Sequence, residues 1–375
     1  MRKNTMATLA PTVDGQALRA LIITDAWAPQ INGVVRTLQR LGVELEGLGH
    51  KVSYITPDLF RTIACPTYPE IRLSVNHWHR LGKMISDYWP AAVHIATEGP
   101  LGIAARRYCL KHGLPFTTSF HTRYPEYINA RFSFPLEWTY AYLRRFHGAA
   151  EHMMVATQSL RDELAARGFH NTALWSRGVD TELFRPRPEL RAANYRGLKR
   201  PIWLYVGRAA MEKNIDAFLE LELEGSKLVV GDGPALAGLK RKFPSAHFAG
   251  ALFGEKLSEA YAAADCFVFP SRTDTFGLVL LEALACGTPV AAYPVTGPRD
   301  VIGDAPVGVL REDLQSACRQ ALTIPASAAR AFALTYSWTA SARQFLGNLA
   351  LNRIDGAKHR AVEDSETRAR QKPAA

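Results

Sequence analysis

Asp274 and Glu282 lie eight positions apart in Phe269-Pro-Ser-Arg-Thr-Asp274-Thr275-Phe276-Gly277-Leu-Val-Leu-Leu-Glu282. An apolar run ends there in a polar loop, and a helical pattern begins near Gly277. The start of a helix offers unpaired backbone N–H groups, which suit sugar hydroxyls or an anion. Both acids can project towards the carboxyl end of a parallel sheet, where open α/β sheets bind ligands. A plainer reading makes Asp274 a helix cap and Glu282 a solvated helix residue. Arg208 and Lys213 flank a second strand-to-helix turn in Tyr205-Val-Gly207-Arg208-Ala-Ala-Met-Glu-Lys213. A forked guanidinium and a point-charge ammonium at that spacing can converge on a diphosphate. Each charge-assisted bond contributes about 1.5–3 kcal/mol. Gly33, in the loop after the first strand, lets backbone approach a ligand closely. His121 in Ser119-Phe-His121-Thr-Arg-Tyr stands just past another strand end.

Other chemistries lack their residues. Gly231-Asp-Gly233-Pro has two glycines of a dinucleotide fingerprint, but Leu236 occupies the third position. There is no P-loop, no H-E-x-x-H, no G-x-S-x-G, and no pair of aspartates separated by one residue to clamp a metal. The five cysteines never form C-x-x-C, which argues against a cysteine zinc site or a disulfide framework and for a reducing cytoplasm. No apolar run reaches the ~18 residues of a spanning helix. The first fifteen residues carry Arg2 and Lys3 without the apolar stretch of a signal peptide. Forty-five Lys and Arg against thirty-five Asp and Glu leave a formal charge of +10, which favours anionic partners. That charge is spread along the chain, with no basic arm, zinc-finger spacing or RNP motif, so no specific nucleic acid is expected.

The elements that must position these residues alternate between short β-branched runs and helical stretches, the pattern of parallel sheets with crossover helices. One series of strands is expected at 20–24, 52–56, 93–96, 116–120 and 153–156, with a helix from Gly33 towards Leu48. A second is expected at 202–206, 227–230, 247–249, 266–269 and 289–292. Between them Phe184-Arg-Pro-Arg-Pro188 carries two prolines that forbid a continuous helix or central strand, which marks a linker. This predicts an α/β chain of two doubly wound domains. A helical stretch over 338–351 follows, then a polar, charged segment from Asp355 that reads as a frayed tail.

From residue 20 to about 351 the constellation resembles the retaining glycosyltransferases of family 4, which have the GT-B fold. The family's E-x7-E motif reads here as Asp274-x7-Glu282, with the first acid shortened by about one C–C bond, ~1.5 Å. The Thr-Asp-Thr-Phe-Gly variant resembles that of glycolipid and α-mannosyl transferases. The resemblance implies that Arg208 and Lys213 hold the donor diphosphate and that Glu282 binds the ribose. It implies that Asp274, Thr275, Phe276 and Gly277 meet the donor sugar, that Gly33 belongs to the glycine loop, and that His121 stands over the transferred sugar. Asn32 occupies a position where many members have a further glycine. Gly178-Val-Asp180 resembles the end of the first domain, and Tyr336-Ser-Trp338 the start of the helix that crosses back. The implied domains are 17–183 for the acceptor, 184–334 for the nucleotide sugar, 335–352 for the crossing helix, and 353–375 as disordered tail.

The expected activity moves a hexosyl unit from a nucleotide-diphospho-sugar, of UDP-glucose, UDP-glucuronate or GDP-mannose type, to an acceptor hydroxyl. No metal or other cofactor is expected. The same transfer to a soluble or polysaccharide acceptor is the nearest alternative, and a sugar-nucleotide epimerase, a phosphorylase and a polyanion-binding module are the further rivals. The acceptor is expected to be a membrane lipid, diacylglycerol or a glycolipid, at an anionic cytoplasmic surface. The segment from Arg131 to Arg145 motivates this. On a helix from about Pro135, Leu136, Tyr140 and Leu143 share one face, while Trp138, Tyr142 and Arg145 share the opposite one.

Overall fold

The computed structural model describes residues 17–30, 33–65, 68–192, 195–274 and 276–352. Asn32, Thr275 and the tail expected from 353 onwards lie outside the described residues.

Two parallel sheets carry the architecture. The first contains β1 (Arg19–Ile23), β2 (Lys51–Ile55), β5 (Ala92–Ile95), β6 (Thr117–Ser119), β7 (His152–Val155) and β8 (Thr172–Leu174). Their order is β2-β1-β5-β6-β7-β8. Between β2 and β5 an antiparallel hairpin, β3 (Arg61–Cys65) and β4 (Tyr68–Val75), stands apart as its own two-stranded sheet. The second sheet contains β9 (Ile202–Val206), β10 (Ser226–Val230), β11 (His247–Gly250), β12 (Cys266–Phe269), β13 (Val290–Ala292) and β14 (Gly308–Leu310). Its order is β11-β10-β9-β12-β13-β14. The central strands β1, β5, β9 and β12 are buried on both faces, as strands sandwiched between helices must be.

Strand order reverses beside β1 in one sheet and beside β9 in the other. Crevices outside the strand ends form at such switch points. The helix Gly33–Gly47 follows β1, and the loops that carry Arg208 and Asp274 follow β9 and β12.

The linker region runs into the short helix Pro188–Ala192, because proline is tolerated at a first helical position. The last helix, Trp338–Asn348, belongs to the first domain's core. Its Ala342, Phe345 and Leu346 are buried with Ala20, Ile22, Leu38, Leu41 and Trp175. Trp175 Nε1 donates to Ser341 Oγ at 3.1 Å, and Gly178 packs so closely on the Trp338 backbone that a Cβ there would sit 2.3 Å from Trp338 N. The two sheets are also tied directly. Arg123 donates to Thr296 Oγ1 at 3.2 Å, and Ser159 donates through both its backbone and its hydroxyl to Asp300.

Candidate active site

The loop after β9 is set by backbone-to-backbone packing. Gly231, at φ +146°, lies against the Gly207 carbonyl, where an added Cβ would be only 1.8 Å away. Ala209 N donates to Asp232 O at 2.8 Å, and Ala235 N donates to Ala209 O at 2.9 Å. The Gly231-Asp-Gly233 segment therefore shapes the turn that carries Arg208. Arg208 is half-buried, and its carbonyl accepts the Tyr205 hydroxyl at 3.0 Å. A short turn, Met211–Lys213, then ends at Asn214 in the left-handed conformation, φ +53°. Asn214 Nδ2 reaches the Pro270 carbonyl at the end of β12, 3.1 Å away, which joins the two loops.

Lys213 and Asp274 meet across this junction, Nζ to Oδ1 at 2.5 Å. Burial alone would lower the Lys213 pKa; Asp274, with Tyr127 and Glu212, outweighs it, so the pKa is raised and the ammonium is retained. The other carboxylate oxygen, Asp274 Oδ2, is buried without a hydrogen-bond partner. A buried carboxylate oxygen in that state is an acceptor set for a donor from outside the chain. Phe276 is buried beneath the loop, and Gly277, at φ +84°, turns it into the helix Leu278–Ala285. A side chain at that φ would be strained.

Glu282 is buried on this helix, not solvated. Its Oε2 accepts the Tyr261 hydroxyl at 2.8 Å, and its Oε1 accepts Arg36 Nη1 of the first domain at 3.1 Å. Burial raises its pKa, and Arg36 and Tyr261 pull the other way without cancelling that shift. Gly33 lies beside Leu278, with 3.8 Å between an ideal Cβ and the leucine methyl. The start of the helix Gly33–Gly47 thus faces the helix Leu278–Ala285 of the other domain.

His121 sits on the first domain's side. Arg177 Nη2 donates to its Nδ1 at 3.3 Å, so the ring keeps its proton on Nε2. Burial, with Arg177, His94 and His147 nearby, holds its pKa well below the ordinary value, and the imidazole is neutral. The helix Tyr124–Phe132 begins three residues later and bridges to the other domain. Its Tyr127 lies near Thr273 and within electrostatic range of Lys213 and Asp274. Asp25, just past β1, accepts from Thr97 Oγ1 at 3.0 Å, Leu101 N at 2.9 Å and Gly102 N at 3.3 Å. Burial pushes its carboxyl up to about 6.

The structure therefore joins Lys213 to Asp274 directly, places Arg208 on the adjoining turn, and brings Gly33 against the helix Leu278–Ala285. Two parallel-sheet domains are also what the likenesses to known proteins show. The family model described as Glycosyltransferase Family 4 matches residues 31–183, and the model Glycosyl transferases group 1 matches residues 200–324. The chain belongs to glycosyltransferase family 4. It is a retaining glycosyltransferase of the GT-B fold. A GDP-mannose-dependent alpha-mannosyltransferase from Mycobacterium tuberculosis is 30% identical over 317 residues, 78% of this chain and 83% of that protein. An alpha-monoglucosyldiacylglycerol synthase from Streptococcus pneumoniae is 28% identical over 346 residues, 81% of this chain and 78% of that protein. Among solved structures, a sucrose-phosphate synthase from Thermosynechococcus elongatus superposes with TM-score 0.71 at 21% identity, over 93% of this chain and 100% of that one.

Sequence reasoning passed over several residues of this glycosyltransferase's cleft. Arg36 and Tyr261 on Glu282, Tyr127 beside the donor loop, and Arg177 on His121 are pairings between distant segments. Arg36 alone had a local signal, since it lies one helical turn beyond Gly33.

Proposed function

We propose that this chain transfers a hexosyl unit from a nucleotide-diphospho-sugar to a hydroxyl of a membrane lipid, diacylglycerol or a glycolipid, without a metal. The observation that carries the donor half is the Lys213–Asp274 pair beside the Arg208 turn, with Asp274 Oδ2 unsatisfied. Arg208 and Lys213 take the donor diphosphate, and Glu282 takes the ribose. Asp274 Oδ2 accepts a hydroxyl of the donor sugar, with Phe276 and Gly277 lining the loop. During transfer the bond from the anomeric carbon to the phosphate oxygen breaks, and the acceptor oxygen bonds to that carbon on the same face. The acceptor's proton passes to the departing phosphate oxygen. Negative charge grows on the diphosphate, where the two fixed cations stabilise it. Neutral His121 contributes a directed N–H over the sugar rather than a charge. The interdomain contacts support closure of the cleft, which keeps water from the anomeric carbon.

The lipid half rests on the helix Leu136–His147. Its inner face buries Thr139, Tyr140, Leu143 and Phe146. Trp138 is 70% exposed, Tyr142 45% and the neighbouring Phe134 43%. Phe134 and Trp138 stack edge to face at 6.1 Å, and Arg145 is exposed beside them. Rings beside a free cation suit the headgroup layer of an anionic bilayer. The Tyr142 hydroxyl donates to Glu98 O, 3.2 Å away in the loop after β5, which connects this face to the strand ends lining the cleft. Among the described residues no helix is long and apolar enough to cross a membrane. The proposed attachment is therefore peripheral, at the cytoplasmic leaflet. Radiolabelled UDP- and GDP-sugars, offered with anionic vesicles containing diacylglycerol and with soluble sugars, test the reading. Label in the lipid phase supports it. Label only in soluble products overturns the lipid acceptor, and label in neither overturns the transferase reading.

A further inference from the structure

Glu282 is held from both domains at once. Tyr261 reaches it from the helix Gly254–Ala263 of its own domain, and Arg36 reaches it across the cleft from the helix Gly33–Gly47. The Glu282 side chain is 8% exposed and that of Arg36 34%, so the pair lies at the inner wall of the cleft rather than in bulk solvent. One turn further along the same helix, Arg40 is occupied by Glu44 at 2.9 Å and Asp180 at 3.4 Å, both on its own side. Arg36 is the member of this row that crosses.

The lone pairs of Glu282 define what the pair can do. Each carboxylate oxygen accepts two hydrogen bonds in its plane. Oε1 spends one on Arg36, and Oε2 spends one on Tyr261. One acceptor direction remains on each oxygen. Two acceptors held side by side fit a pair of vicinal hydroxyls. A charged donor such as Arg36 opposes the upward push of burial and favours the ionised form, which accepts more strongly than a neutral acid.

We propose that Arg36 is a positioning residue for nucleotide recognition: it reaches across the closed cleft to fix Glu282 as an oriented anion, whose remaining lone pairs take the 2′- and 3′-hydroxyls of the donor's ribose. This rests on the donor reading of Glu282 above. The ribose is then read by a second-domain acid only when the first domain has supplied its arginine. Recognition of the nucleotide and closure of the cleft become one event.

The test is calorimetric titration of the full chain with UDP and GDP, and with their 2′-deoxy forms. The proteins compared are the wild type, Arg36→Ala, Arg36→Lys and Glu282→Gln, each checked for an unchanged melting temperature. The wild type is expected to prefer one ribonucleotide over its deoxy form by about tenfold or more, the worth of one charge-assisted hydrogen bond. Arg36→Ala should lose about tenfold in affinity for that ribonucleotide and less than threefold for the deoxy form, so that the preference collapses. Arg36→Lys should restore part of it, and Glu282→Gln should abolish it. A preference unchanged in Arg36→Ala overturns the proposal, and so does an equal loss for both nucleotides, which would mark a merely structural arginine. If Glu282→Gln keeps the preference, the ribose reading of Glu282 fails, and the proposal with it. If the wild type binds neither diphosphate, the donor reading itself fails.

Discussion

Replacing Lys213 by Ala should separate catalysis from stability, because on the proposed reading the side chain serves both. Its ammonium is 2.5 Å from Asp274 Oδ1, and the two side chains are 21% and 18% exposed. Losing one fixed cation beside the departing diphosphate lowers turnover by about 10²–10³. Loss of one partner from a fully buried ion pair costs about 3–5 kcal/mol. Residual solvent access screens the stranded carboxylate and reduces this to about 2 kcal/mol. For a domain of this size that is a fall of about 4–8 °C in melting temperature. The double variant Lys213→Ala with Asp274→Ala removes the stranded charge. It should regain much of the lost stability and none of the turnover. Calorimetric melting and initial rates at saturating donor read the two quantities separately. Turnover within threefold of wild type would refute the catalytic role. Melting losses that simply add in the double variant would refute the coupling, since residues in contact must show an interaction energy.

Activity should persist in excess EDTA if, as proposed, Arg208 and Lys213 take the place of a metal; loss with EDTA and recovery with manganese would contradict this. Arg208→Ala should lower turnover by about 10²–10³ with little change in melting temperature, as measured by initial rates. The pH dependence of stability should carry the mark of Asp25, whose folded pKa of about 6 lies above the ordinary 3.8. The folded state then holds the proton more tightly, so this contribution is complete below about pH 4 and is lost as pH rises through 6. It amounts to about 3 kcal/mol. Melting curves from pH 4.5 to 7.5 should converge on, or fall below, those of Asp25→Asn as pH rises, and parallel curves would refute it. Trp138→Ala with Arg145→Glu should weaken sedimentation with anionic vesicles by about tenfold or more and leave folding intact. Unchanged sedimentation would detach that face from the membrane.

The strand-loop-helix turns bearing Arg208, Lys213 and Asp274 were legible because each is local. A buried run, a polar break and a helical pattern lie within twenty residues. The burial of Glu282 was not legible, since its partner Arg36 is 246 positions away and only the apposition of two domains brings them together. The same holds for Tyr127 at Thr273. Strands β8 and β14 escaped notice because they are short edge strands and only half-buried, whereas the equally short β6 and β13 are fully buried. The β3–β4 hairpin escaped because Pro66 and Pro69 interrupt the strand pattern in the sequence, and because it lies outside the parallel sheets that the alternating pattern predicts. Gly231 and Gly233 were set aside as half a dinucleotide motif. Their role is steric, holding backbone against the Arg208 turn, and no spacing rule encodes it.

The crossing helix also bears on how the chain is made. Trp338–Asn348 is translated after every strand of the second sheet, yet its Phe345 and Leu346 complete the apolar core around β1. While the ribosome is still working through the second domain, Ile22, Leu38 and Leu41 face a seat with no occupant. The second domain builds most of its core from its own strands and helices, with Ala156 and Val179 of the first domain at its edge. Of the two, the half synthesised first is therefore the one finished last, and its uncovered seam is where a chaperone would be needed during synthesis.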